Sequence, residues 1–229
     1  CLATMKLADE AARAGVKRFI YASSGSVYGV KTEDNVTEDL ILEPLSEYNK
    51  TKMVSERVLK SYAGPMKIQI VRPATVCGLS PRMRLDVSVN MLTMQALTTG
   101  VIKVFGGTQV RPNIHIDDIC DLYIFLLDSP ELEGIFNAGF ENISILEIAR
   151  LVKERVECDI VITGGNDPRS YRLDSSKLLK TGFKPKKTVS QAIDEIISAF
   201  RKGELKDEPH FHNLNWMTKM INDHKEMAQ

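Results

Sequence analysis

The chain has 229 residues, 30 of them Lys or Arg and 30 Asp or Glu, and 43% are hydrophobic. That is enough apolar material for a packed domain with a smaller lobe, and it excludes a disordered chain. Balanced charge leaves no electrostatic footprint for nucleic acid or an anionic membrane, and no apolar run is long enough to span a bilayer. The four cysteines, Cys1, Cys77, Cys120 and Cys158, are scattered and form no CxxC pair. They read as reduced thiols of a cytoplasmic protein, with no zinc or other metal site.

The chain opens inside an amphipathic helix pattern over residues 2–14, closed by Gly15, and does not begin with Met. Residues ahead of Cys1 are therefore expected. Lys17 to Ala22 (KRFIYA) reads as a short strand rich in β-formers. Residues 30–44 read as a loop, and 46–63 as a long helix with Met53, Val54, Val58 and Leu59 at apolar positions. Gly64-Pro65 stops it. Lys67 to Val71 (KIQIV) is the next strand, ended by Arg72-Pro73. Strand, helix and strand at this spacing imply a parallel α/β sheet.

Beyond Gly78 the expected elements are shorter and more mixed. They are a helix at 85–99, strands at 101–105 and 113–116, a helix at 117–127, a strand at 135–137 and a helix at 144–156. A strand at 158–162, a helix at 188–201 and one surface helix in the tail complete the reading. Residues 1–80 are expected to form one domain. Residues 81–229 are expected to form a second lobe, partly interleaved with the sheet.

The most informative residues are Tyr48 and Lys52, four apart in EYNKTK, and the upstream cluster ASSGSVYG at 22–29. Positions i and i+4 lie on one face of a helix, so both side chains can enter one cleft. A free tyrosine is a poor base at neutral pH, but a nearby ammonium favours the phenolate. Ser24, just past the strand at 17–22, can hold a substrate hydroxyl, because ligands of parallel sheets bind outside the carboxyl ends of strands. A bare YxxxK is weak by itself. The ordered set of strand, serine cluster, loop, YxxxK helix, strand and Arg-Pro turn is not.

With those residues in view, the chain resembles the extended short-chain dehydrogenase/reductases, in particular the nucleotide-sugar epimerases and dehydratases. AARAGVKRFIYASSGSVYG, SEYNKTK, VFGGTQVRPNIHIDDICD, NAGFENISILEIARLV and DPRSYRLDSSKLLKTGFKP carry the likeness over nearly the whole chain. The resemblance implies a Rossmann-like fold with NAD, less so NADP, as cofactor and a nucleotide-diphosphate sugar as substrate. It makes Tyr48 the acid/base, has Lys52 bind ribose, and makes Ser24 the catalytic serine. It lines the nicotinamide with Ala22, Ser23, Pro73, Ala74, Thr75 and Val76. It gives the nucleotide diphosphate to Arg111 and Arg169, with Arg172 as the alternative to Arg169 and an ion pair to Asp117 or Asp118 as the alternative role of Arg111. Asn90 is a further candidate for the diphosphate or a plain surface residue. Ser24 and Thr75 would touch the sugar. His115 is read as ordering a strand-to-helix turn, and Met53, Met91 and Met94 as core or interface residues.

Within the family, dehydratases carry an acidic pair after the catalytic serine or threonine. Here Gly25 and Ser26 follow Ser24, so the resemblance implies epimerisation, with C4 as the carbon inverted. A keto-sugar reductase or a dehydratase of the same family is the alternative. Thr75 stands where an Asn is common, which leaves the sugar open. The family's GxxGxxG turn is not in these 229 residues. The first half of the Rossmann sheet is therefore expected to be absent, and a non-catalytic fragment that folds and dimerises is a further alternative. Helices 2–14 and 46–63 are the expected homodimer surface.

Overall fold

The computed structural model describes residues 1–165 and 170–227. The backbone clusters into two compact units. One holds Cys1–Val76, Gln109–Ile143 and Asp167–Lys186, and the other holds Cys77–Thr108, Ser144–Asn166 and Lys187–Gln229.

In chain order, helix α1 (Leu2–Arg13) leads to strand β1 (Arg18–Ala22), a 3-10 turn (Gly25–Tyr28), helix α2 (Glu47–Lys60), strand β2 (Lys67–Pro73) and strand β3 (Thr75–Cys77). Helix α3 (Ser88–Thr99), strands β4 (Val101–Phe105) and β5 (Val110–His115), and helix α4 (Ile116–Asp128) follow. Then come β6 (Gly134–Ala138), β7 (Glu141–Ser144), α5 (Ile145–Lys153) and β8 (Asp159–Thr163). The short α6 (Ser176–Leu179), α7 (Val189–Arg201) and α8 (Asn213–Met227) complete the chain.

In the first unit β1, β2 and β6 form a parallel sheet with β2 in the middle. Five consecutive residues of β2, Ile68 to Arg72, are buried, as a central parallel strand covered on both faces requires. On one side Ala8 of α1 and Leu59 of α2 close a cluster with Met66, Ile68 and Ile70. A second cluster gathers Val71, Phe136 and Ala138 with Ile119, Leu122 and Leu126, which recur at helical spacing along α4. In the second unit β4 and β8 pair in parallel. There Met94 of α3 packs with Ile196 and Ala199 of α7.

The long periodic elements lie where the sequence places them, and the differences have local causes. α3 starts at Ser88 rather than at 85. Arg84 pairs with Asp86 at 2.6 Å and the Leu85 N–H donates to the Phe211 carbonyl, which holds this stretch out of the helix. β5 runs over Val110–His115 rather than 113–116, with Pro112 inside it. β3 and β7 are too short for periodicity to reveal. His115 caps α4, its Nδ1 accepting the Asp117 N–H at 3.1 Å, which is the turn-ordering role read from IHIDD. No helix among the described residues is long and apolar enough to cross a membrane.

Candidate active site

The site starts with how α2 begins. Ser46 is its N-cap and accepts the Asn49 N–H at 3.2 Å, while Glu47 in the first turn complements the positive helix end. Tyr48 thus sits in the first turn, 56% exposed. Lys52 follows one turn later on the same face, with its ammonium 5.7 Å from the Tyr48 ring centroid and 5.0 Å from that of Tyr21. Lys52 Nζ also donates to the Ala22 carbonyl at 2.8 Å. That bond fixes the ammonium at the carboxyl end of β1.

The serine cluster is the continuation of that strand. The Ser23 N–H donates to the Val71 carbonyl at 2.8 Å, and Ser24 then caps the 3-10 turn. Gly25 lets this turn press against the end of β2: a Cβ there would stand 3.2 Å from the Pro73 carbonyl oxygen. Gly29 closes the turn at φ 74, where a Cβ would lie 2.0 Å from the Glu43 carbonyl oxygen, so glycine is required. Ser24 Oγ lies 2.7 Å from Ser26 Oγ, and Ser26 donates to Asn49 Oδ1 at 2.6 Å. With the Ser26 proton spent on Asn49, Ser24 is the donor in the serine pair. The chain of hydroxyls therefore ties the Ser24 turn to α2 at the residue beside Tyr48.

Pro73, Ala74, Thr75 and Val76 continue from the carboxyl end of β2, next to β1 in the sheet, and the Ala74 N–H donates to the Ala138 carbonyl at 2.8 Å. Arg111 lies half-buried on β5. Asn90 belongs to the second unit. There it is buried on α3, accepting the Gly78 N–H at 3.0 Å and donating to the Arg84 carbonyl at 2.9 Å. Arg169 lies outside the described residues. Four residues escaped the sequence reading: Ser26, Asn49, Glu56 and Arg72. Only Glu56 had a visible signal, a carboxylate four residues after Lys52 on the Tyr48–Lys52 face.

The donor set fits the nicotinamide-ribose half of a dinucleotide. An ammonium and a phenol hydroxyl share one helix face beside the carboxyl ends of two parallel strands, and Gly25 leaves the turn between them without a side chain.

The sequence profile of the NAD dependent epimerase/dehydratase family matches residues 1–139. A curated relative, UDP-glucose 4-epimerase of Lactobacillus helveticus, is 29% identical over 218 residues, which cover 81% of this chain and 63% of the relative. The chain thus spans less than two thirds of that relative's length. Among solved structures, UDP-glucuronic acid 4-epimerase of Bacillus cereus in complex with UDP-glucuronic acid and NAD superposes with a TM-score of 0.76 at 27% identity, covering 88% of this chain and 67% of that one. MoeE5 in complex with UDP-glucose and NAD gives 0.77 at 26% identity, with 88% and 71% covered.

Proposed function

The chain belongs to the NAD dependent epimerase/dehydratase family, and from that premise we propose that it performs proton transfer in the NAD-dependent epimerisation of a nucleotide-diphosphate sugar at C4. The observation that carries this reading is the shared face of Tyr48 and Lys52, with Lys52 held on the Ala22 carbonyl and the Ser24 hydroxyl chain reaching Asn49 beside Tyr48.

NAD supplies the hydride acceptor, and later the donor, when it is bound. The protein's own residues do the rest. Tyr48 takes the proton of the sugar hydroxyl and returns it, with the Lys52 ammonium on the same helix face. Ser24 holds the same hydroxyl oxygen by turning its own proton from Ser26 onto it, which leaves the sugar proton for Tyr48. Lys52 has two further protons for ribose hydroxyls once one is given to Ala22. Arg111 suits the diphosphate because a guanidinium fork matches phosphate oxygens. Gly25 and Ser26 place no carboxylate after Ser24, which favours epimerisation over elimination of water. The same reading carries a homodimer built on α1 and α2.

The test is Tyr48→Phe, assayed with UDP-glucose and UDP-glucuronic acid, the sugars bound by the two solved neighbours. Losing the acid/base should lower kcat at least about 100-fold, with NAD affinity and melting temperature nearly unchanged. Turnover at the unsubstituted rate would end the assignment.

A further inference from the structure

We propose that Glu56 and Arg72, joined in a buried ion pair, are positioning residues for Tyr48 and Lys52; this role rests on the proton transfer assigned above. Both side chains are almost wholly enclosed, Glu56 at 1% and Arg72 at 2% exposure. Arg72 grips the carboxylate with two parallel bonds, Nε to Oε1 at 3.0 Å and Nη2 to Oε2 at 2.6 Å. Burying such a pair costs desolvation that the mutual attraction often fails to recover, and a matched apolar pair would pack at least as well. Stability alone is therefore a poor reason for two charges at this place.

Geometry supplies a better one. Tyr48, Lys52 and Glu56 follow one another at intervals of four along α2, so they share one face. The Glu56 carboxylate also accepts the Ser23 hydroxyl at 2.5 Å. Ser23 stands between Ala22, whose carbonyl holds Lys52, and Ser24. Arg72 Nη1 donates to the Tyr28 hydroxyl at 2.7 Å, and Tyr28 donates to Asn137 Oδ1 on β6 at 2.8 Å. The network thus clamps the Ser24 turn at both ends, Ser23 and Tyr28, and clamps α2 to β1 and β2 through one carboxylate. Glu56, two turns from Tyr48, adds a buried anchor to the Ser26–Asn49 and Lys52–Ala22 bonds and so sets the rotation of α2 about its axis. That rotation aims the exposed Tyr48 ring and brings it to Lys52.

The test uses the full chain carrying 13Cζ-labelled tyrosine. The double variant Glu56→Gln/Arg72→Met removes both charges and keeps an acceptor for Ser23. It should melt within about 5 °C of the unsubstituted protein, because no charge is left unpaired. In the unsubstituted background Lys52→Met should displace the Tyr48 signal. In the double-variant background the same substitution should displace it less than half as far. Where the unsubstituted chain turns over, kcat of the double variant should fall at least about tenfold with KM nearly unchanged, as misplacement of a reacting group does. Equal displacement in both backgrounds would overturn the positioning role, whatever the melting temperature. No displacement by Lys52→Met in the unsubstituted protein would instead sink the Tyr48–Lys52 pair, and the positioning role with it. Ser23→Ala leaves the ion pair intact and removes one clamp. It should reduce the Lys52→Met displacement in the same direction by less, and carries the test if the double variant does not fold; an undiminished displacement there also overturns the role.

Discussion

Tyr28 shows how one side chain serves both packing and site. Its ring is buried, and burial pushes its hydroxyl up to about 12, with the Arg72 charge and the bonds from Arg72 and to Asn137 pulling the other way. The hydroxyl therefore stays protonated and can donate to Asn137 while accepting from Arg72. Tyr123 on α4 is likewise pushed up to about 12, first by burial and then by the neighbouring Cys120 and Tyr48. The linkage has a definite sign. Below pH 10 both tyrosines are neutral in the folded and unfolded chains, so their contribution is fully present. As pH rises from about 10 to about 12 the unfolded tyrosines ionise while the native ones do not, and stability falls. Tyr28 and Tyr123 should ionise late in a native titration followed at 295 nm, giving a step near pH 12. Tyr28→Phe should remove half of that step. A single transition centred near pH 10, with circular dichroism still native, would contradict the buried environment of both.

At the scale of elements, the start of α2 joins local stability to chemistry, because Tyr48 lies in the first turn. Ser46 satisfies the Asn49 N–H there. Ser46→Ala should cost about 1 kcal/mol in urea unfolding, whereas Ser46→Asp should restore nearly all of it, since Asp caps as well and suits the helix dipole. Equal losses for Ala and Asp would show that the cap is not what holds this end. The Tyr48–Lys52 spacing was legible in the sequence, because i, i+4 pairs are local facts, whereas the Ser46 cap came from the structure. Also legible were α1, α2, α4 and α7, whose apolar spacing extends over three turns or more. β3 and β7 were not, being three and four residues long and held by pairing with β5 rather than by their own pattern. The same distinction separates the site residues. Ser24 follows from its place after a strand. The Ser26–Asn49 bond and the Glu56–Arg72 pair join residues far apart in sequence, and only the packing of α2 against the turn and β2 brings them together.

For the whole molecule, zero net charge provides no long-range repulsion against self-association. α1 and α2 pack on each other, with Ser55 Oγ 3.3 Å from Thr4 Oγ1, and bury Ala8 and Leu59 beneath them. Leu2, Met5 and Leu7 of α1 and Val54 of α2 remain exposed, with Leu7 at 61%. Exposed apolar side chains on two adjacent helices suit an association surface. A second copy meeting this pair through a two-fold axis would place each exposed side chain against the same surface of its partner, covering both at once. On that basis the protein should sediment as a dimer at micromolar concentration. Leu7→Glu/Val54→Glu should weaken the dimer at least about tenfold, because closing the interface would then bury unpaired like charges at more than about 1.4 kcal/mol. Both positions face solvent within one copy, so the melting temperature of the monomer should hardly change. A variant that sediments as the unsubstituted protein does would rule out α1 and α2 as the interface. A variant that dissociates while keeping its fold would place the contact on the helix that carries Tyr48 and Lys52, and would make any change of turnover on dissociation a direct measure of how far the interface steadies α2.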